Sequence, residues 1–177
     1  MPQEQEEQEE QEEQEEREFT IDETDLDIIK LLQEDARLSY RSIADELEKT
    51  GRKKAAGTVH NRVKNLEKEG VIKGYSVVLD YEKLGYEFTA LTLVRVSGGK
   101  LVEVEEKIAQ HDPVMAVYDI TGEYDIAVIS RFSSRNDLDK FIKEVLSIPD
   151  IERTNTSIVL NVRKEKWSLS DLKVPKS

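Results

Sequence analysis

The segment from Gly57 to Lys68 carries hydrogen-bonding side chains at the spacing of one helix face. At about 100° per residue, its apolar residues Val59, Val63 and Leu66 fall together on the opposite side. Amide and ammonium groups can address base edges in the major groove of DNA, and a threonine can contact a base or a phosphate. Any surface helix also has a polar face, so this pattern alone leaves both interpretations open. The candidate base-reading residues are Thr58, His60, Asn61, Lys64, Asn65 and Lys68.

Basic residues are concentrated around the same segment. Between Gly51 and Gly74 there are seven Lys or Arg against two Glu, a local charge of +5. Guanidinium groups, ammonium groups and the amides at a helix start favour phosphate, which positions a protein on DNA without reading its sequence. The candidate phosphate contacts are Arg37, Ser39 and Arg41 near a helix start, and Arg52, Lys53 and Lys54; Arg62 is a further candidate DNA contact.

Several other kinds of chemistry are excluded by composition. The chain has no Cys, and its two His, at positions 60 and 111, are too few and too far apart for a metal cluster. No nucleophile elbow, P-loop or dinucleotide-binding glycine motif occurs, so we expect neither an enzyme nor a cofactor. No apolar run is long enough to span a membrane and no apolar signal core is present, so we expect a cytoplasmic protein that does not bind membranes.

Three short helices are predicted before the first strand. The first starts near Ile21 and has an apolar stripe that includes Leu26, Ile28 and Leu32. The second starts at Ser39, a good N-cap, and ends at Thr50-Gly51; the third runs from about Gly57 or Thr58 to Lys68. A strand is predicted over Val71–Asp80, which is rich in Ile, Tyr and Val. Three helices followed by a strand are typical of a winged or wingless helix-turn-helix.

The second half has the order β-α-β-β-α-β, that of the ferredoxin-like fold. The predicted strands are FTALTLVRV, VMAVYDI, YDIAVISRF and Ile151–Val162; the helices lie within Lys100–Gln110 and around Phe141. Such a sheet carries both helices on one face, so its other face needs a cover, which is usually a second copy. The fold class is therefore α+β, and at least a homodimer is expected.

Charge and composition suggest the domain limits. Residues 1–18 hold ten Glu and one Arg, a charge of −9, which leaves −3 of the total −12 for the other residues. This Gln-Glu-Glu repeat has no apolar face, so we predict a disordered tail over 1–20. The predicted parts that follow are a helix-turn-helix domain (21–72), a linker strand (73–85), an effector and assembly domain (86–166) and a C-terminal tail (167–177).

Several ordered motifs resemble the Lrp/AsnC (feast/famine) regulators. They are LDIIKLLQEDARLSYRSIADEL, TVHNRVKNLEKEGVIKGYSVVLDYEKLGY, TGEYDIAV and IERTNTSIVL, which together span roughly residues 22 to 165. The resemblance implies a sequence-specific regulator of double-stranded DNA that carries a regulation of amino acid metabolism domain, binds an amino acid or related effector and assembles into dimers, tetramers or octamers. One departure is a longer, basic turn between Leu47 and Val59, with Ala55 where the family usually has Ser.

The resemblance also implies an effector site. It places one wall of the pocket at the turn formed by Gly122, Glu123, Tyr124 and Asp125, and further polar positions at Thr154, Thr156 and Ser157. Without the family, Gly122 could simply make a hairpin with Asp125 as its cap, and Thr is simply a good strand residue. Two other functions stay open: a ferredoxin-like amino-acid-binding module or enzyme, and an architectural DNA-binding protein with little sequence preference.

Overall fold

The computed structural model describes residues 19–166, 168 and 172–174. The predicted acidic tail therefore lies almost wholly outside the described residues, as does most of the predicted C-terminal tail. The chain divides into two compact units, with the boundary between Val77 and Val78, and the second unit spans Val78–Glu165. No helix within the described ranges is both long and apolar enough to cross a bilayer.

The first unit contains three helices: α1 (Glu23–Glu34), α2 (Tyr40–Lys49) and α3 (Ala56–Lys68). Asp22 and Asp25 form a capping box at the start of α1, and the Ser39 hydroxyl accepts a hydrogen bond from the Ser42 amide at the start of α2. The apolar stripes of the three helices meet in one core, as predicted. It contains Ile28, Leu32, Ile43, Ala44, Leu47, Val59 and Val63.

The longer turn between α2 and α3 starts at a glycine in the left-handed region. Gly51 has a φ of 83°, and the amides of Gly51 and Arg52 donate to the carbonyls of Glu48 and Leu47 at 3.0 and 2.9 Å. This pair of bonds is a Schellman ending, which satisfies the last carbonyls of a helix. Helix α3 then begins at Ala56, one or two residues before the predicted start, and Ala55, which precedes it, provides no side-chain cap.

The second unit has the predicted ferredoxin-like order: β1 (Phe88–Val96), α4 (Leu101–Ala109), β2 (Val114–Asp119), β3 (Ile126–Phe132), α5 (Arg135–Leu146) and β4 (Ile151–Ile158). The strand order is β2-β3-β1-β4, and all neighbouring strands are antiparallel. One sheet face packs on the helices around a core that includes Val94, Val128, Phe132 and Phe141. The predicted fold class is confirmed.

The other sheet face, which we call the open face, lies on the side away from this core. Its apolar residues alternate with the core residues along β1 and β3 and are half-buried; they are Leu91, Leu93, Ala127 and Ile129. Arg131 also lies on this face and is buried, because its guanidinium stacks 4.4 Å from the Tyr81 ring and bonds Glu165 at 2.5 Å.

The predicted strand over Val71–Asp80 is wrong for the single chain. Residues 73–80 lie in neither helix nor strand; Val77 is 75% exposed and Val78 is fully exposed. A β-rich sequence forms a strand only when a neighbour accepts its ladder hydrogen bonds. Among the described residues of the chain, no strand pairs with this segment. The last strand is also shorter than predicted and ends at Ile158 rather than Val162.

Candidate nucleic-acid interface and effector turn

Helix α3 has one buried side and one exposed side. Val59, Val63 and Leu66 are at most 1% exposed. All six candidate base-reading residues, from Thr58 to Lys68, are exposed on the rest of the helix. The structure therefore brings these six together on the surface of α3, as a groove-reading helix requires.

Two side chains from outside α3 lie against this exposed surface. The Tyr40 ring of α2 lies 4.9 Å from the His60 ring, measured between centroids. Further along, Glu67 accepts hydrogen bonds from the Lys64 ammonium at 2.8 Å and from the Tyr75 hydroxyl at 2.9 Å. These two hydrogen bonds lower the pKa of Glu67, while burial and the bond to Glu67 raise the pKa of Tyr75 to about 12. Glu67 is therefore a carboxylate, and Tyr75 a neutral donor, at neutral pH.

Two of the predicted DNA contacts instead form ion pairs inside the unit. Arg62 of α3 bonds Asp22 and Asp25, each at 2.8 Å, at the start of α1. Arg52 of the long turn bonds Glu23 and Asp27 on the same helix. Although burial opposes the charge of Arg62, its two carboxylate partners raise the pKa of the guanidinium. The ion pairs of Arg52 therefore join the long turn to α1, and those of Arg62 join α3 to α1.

The other predicted phosphate contacts remain at the surface. Arg37 is 90% exposed and forms a two-pronged pair with Asp35, and Lys53 pairs with Glu48 at 2.7 Å. Exposed pairs of this kind contribute little stability, so their cations can exchange partners. Arg41 and Lys54 form no ion pair within the described part of the chain, and Ser39 is occupied as the cap of α2.

The predicted effector turn connects β2 and β3, and its polar groups have partners from β1 and β4. Gly122 has a φ of 127°, which a side chain would strain. The Glu123 carboxylate bonds Arg153 at 2.5 Å, and the Tyr124 ring lies 5.0 Å under the same guanidinium. The Asp125 carboxylate accepts a hydrogen bond from the Val96 amide at 2.8 Å. Asp125 thus links the turn to β1, and one of its carboxylate oxygens already accepts this backbone hydrogen bond.

The hydroxyl residues of β4 are divided between the two sheet faces. Thr154 and Thr156 lie opposite Val94 and Thr92, on the face that carries the helices, and the two hydroxyls of Thr92 and Thr156 are 3.0 Å apart. Ser157 lies opposite Leu91, on the open face. The three predicted effector residues of this strand therefore do not line one surface of the single chain.

Comparison with known proteins identifies the family. A family model described as winged helix-turn-helix DNA-binding matches residues 21–73, and one for the Lrp/AsnC ligand binding domain matches residues 89–169. An HTH-type transcriptional regulator of Pyrococcus furiosus is 50% identical over 149 residues, which are 84% of this chain and 97% of that protein. The chain belongs to the Lrp/AsnC family. It is thus a DNA-binding transcriptional regulator with a ligand-binding domain.

Solved structures of Lrp/AsnC proteins share the fold along most of the chain. AsnC of E. coli superposes with a TM-score of 0.76 at 24% identity, over 86% of this chain and 100% of that one. A Neisseria meningitidis transcriptional regulator, solved as a complex with L-Met, superposes with a TM-score of 0.75 at 24% identity, over 85% of this chain and 96% of that one. At this identity the likeness concerns the fold alone.

Sequence reasoning missed several polar residues that the fold of this Lrp/AsnC protein brings to the two sites. Arg95 and Arg153 lie directly opposite each other on β1 and β4, beside the effector turn. Glu67, Tyr75 and Tyr40 lie at the surface of α3. Only strand register or tertiary contact brings these side chains together, and neither can be read from local spacing. The one available signal was that Arg153 immediately precedes the predicted Thr154.

Proposed function

We propose that the exposed side of α3 enters the major groove of double-stranded DNA and reads base edges. The observation that carries this proposal is the exposure of all six polar residues opposite the buried Val59, Val63 and Leu66. Asn61 can pair with adenine and Lys64 with guanine, while Thr58, His60, Asn65 and Lys68 add contacts to bases or to the flanking phosphates. Membership of the Lrp/AsnC family supports this role for the third helix of the unit.

The phosphate contacts come from a smaller set than the sequence suggests. Arg37, Arg41, Lys53 and Lys54 are exposed or half-buried, and Ser39 stands at the start of α2, where amides favour an anion. Arg52 and Arg62 would have to give up carboxylate partners before they could bind phosphate. We therefore assign them to holding α3 and the basic turn in place.

The effector of the second unit is an amino acid or a related small molecule. The family model for the Lrp/AsnC ligand binding domain over residues 89–169 supports a ligand, and the Neisseria relative binds L-Met. Within the turn, Gly122 lets a ligand approach the backbone, and Glu123 and Tyr124 supply polar and aromatic contact. Ser157 lies on the open face, whereas Thr154 and Thr156 lie on the face that carries the helices. These three residues therefore line one pocket only if the assembly of subunits brings the two faces together.

The assembled protein is at least a homodimer, and larger tetramers or octamers are part of the proposal. The half-buried Leu91, Leu93 and Ile129 on the open face support a second copy as its cover. Regulators of this class act on the chromosome and need no catalytic group, so we propose a cytoplasmic, non-enzymatic protein. No cluster of three or more acidic, His or Cys side chains suited to a metal occurs among the residues described.

The experiment is a genome-wide selection of fragments bound by the purified protein, repeated with each free amino acid. We expect a short palindrome-like motif whose occupancy changes with one of them. Indifferent binding to all fragments would instead support an architectural role. A motif that no amino acid affects would remove the effector part of the proposal and leave the DNA-reading part.

A further inference from the structure

Glu67 is an unexpected residue for a surface that binds DNA. It lies on α3 one turn from Lys64, and a carboxylate there repels the phosphate backbone. Its side chain is 28% exposed, and each of its oxygens has one donor: Oε2 has the Lys64 ammonium, and Oε1 has the Tyr75 hydroxyl. Both interactions therefore fix the carboxylate beside the base-reading residues.

Lys64 is a long, flexible side chain that such a support can restrict. Its side chain is 60% exposed, and a free lysine samples many rotamers that must be given up when it binds one base edge. A carboxylate at the i+3 position that is itself held by a second donor restricts the ammonium to a small region above the helix. Restricting a side chain before binding reduces the entropy lost on binding.

Tyr75 lies outside α3, in the segment that leads to the second unit. Helix α3 ends at Lys68, and Tyr75 belongs to residues 73–80, which lie in neither helix nor strand. Its hydroxyl is the link, through Glu67, between this segment and the ammonium of Lys64. A shift of the segment that removes this donor leaves Glu67 held by Lys64 alone.

We propose that Glu67 and Tyr75 are positioning residues for Lys64, and that the segment containing Tyr75 sets how sharply Lys64 discriminates between base pairs. This inference rests on the proposed function, in which Lys64 contacts a base. It assigns the specificity of α3 partly to a side chain that need not touch DNA.

The test measures the ratio of affinities for the selected motif and for random DNA, in wild type, Tyr75→Phe, Lys64→Ala and the double variant. Loss of the Tyr75 hydroxyl should lower this ratio roughly two- to ten-fold, because Lys64 would then lose more side-chain entropy when it binds a base. Binding to random DNA should change little. In the Lys64→Ala background the same substitution should change nothing, because the residue that Tyr75 positions is gone. Tyr86→Phe is the matched control, since Tyr86 is similarly exposed and its ring packs against Tyr81 within the second unit.

The outcomes separate the two claims. If Lys64→Ala leaves the ratio unchanged, the base-reading role of Lys64 is wrong, and this inference fails with it. If Lys64→Ala lowers the ratio but Tyr75→Phe does not, or if Tyr75→Phe has the same effect with and without Lys64, only the positioning role is wrong. Glu67→Gln gives a second check: loss of its charge should strengthen binding to random DNA while the ratio falls, whereas a rise in the ratio would overturn the inference.

Discussion

The guanidinium of Arg62 lies 2.8 Å from the carboxylate of Asp25, thirty-seven residues earlier in the chain. Asp25 is 5% exposed, and its other oxygen accepts a hydrogen bond from the Asp22 amide as part of the capping box of α1. One ion pair therefore joins the middle of α3 to the first turn of α1. This contact adds to the packing of Val59, Val63 and Leu66, which already sets the buried side of α3.

We expect Arg62→Ala to lower the free energy of unfolding by about 1–3 kcal/mol, because it leaves a buried carboxylate with one partner fewer. Urea unfolding followed by circular dichroism measures the change. Lys68→Ala on the exposed side of the same helix is the control and should alter stability by less than about 0.5 kcal/mol. Equal stability of the Arg62 variant and wild type would show that the pair is not structural.

Asp22 should make the stability of the first unit depend on acid pH. Burial favours its neutral form, but hydrogen bonds from the Asp25 amide and from Arg62 outweigh this and lower the pKa of Asp22 below its usual 3.8. As pH falls, the unfolded chain takes up this proton first. The stabilisation from Asp22 is therefore complete above about pH 4 and is lost as the pH falls through the lower folded-state pKa.

The measurement is the free energy of unfolding from neutral pH down to about pH 2, for wild type and Asp22→Asn. The variant should be less stable at neutral pH and should lose less stability on acidification. Parallel curves for the two proteins would contradict the assignment.

Deletion of residues 1–18 should modestly strengthen DNA binding at low salt, because it removes a charge of −9 that repels phosphate. The gain should disappear as salt is raised, and the oligomeric state should not change. A variant with the ten Glu replaced by Gln separates charge from length and should reproduce the deletion. Loss of the dimer on deletion would refute the interpretation of this segment as a solvated tail.

Ile129→Lys should shift the protein from dimer towards monomer, because it introduces a charge at the centre of the open face. Light scattering over a range of concentrations measures the shift. Leu146→Lys is the control, since Leu146 is 49% exposed near the end of α5 and its charge should be tolerated. An unchanged dimer in the Ile129 variant would mean that subunits meet elsewhere.

The sequence was sufficient where structure follows from local periodicity. The spacing of Val59, Val63 and Leu66 fixes which side of α3 is buried, and the alternation of helices and strands fixes the ferredoxin-like order. Caps such as Ser39 also act within one turn, so their sites could be read directly.

The sequence was insufficient where structure depends on residues far apart. Local charge predicts that Arg62 contacts DNA, since its buried partner, Asp25, belongs to another helix and cannot be found from local spacing. The family resemblance places Thr156 and Ser157 in one pocket, but adjacent residues of a strand face opposite sides of its sheet. The Ile, Tyr and Val content of Val71–Asp80 predicts a strand, but composition does not reveal whether a neighbouring strand exists to pair with it.

The most direct test of the central claim compares the affinities of Asn61→Ala and Lys53→Ala for the selected motif and for random DNA. If α3 reads bases, Asn61→Ala should weaken binding to the motif by about 1–3 kcal/mol and barely affect random DNA, whereas Lys53→Ala should weaken both alike. Equal losses on both DNAs for Asn61→Ala would contradict base reading by α3.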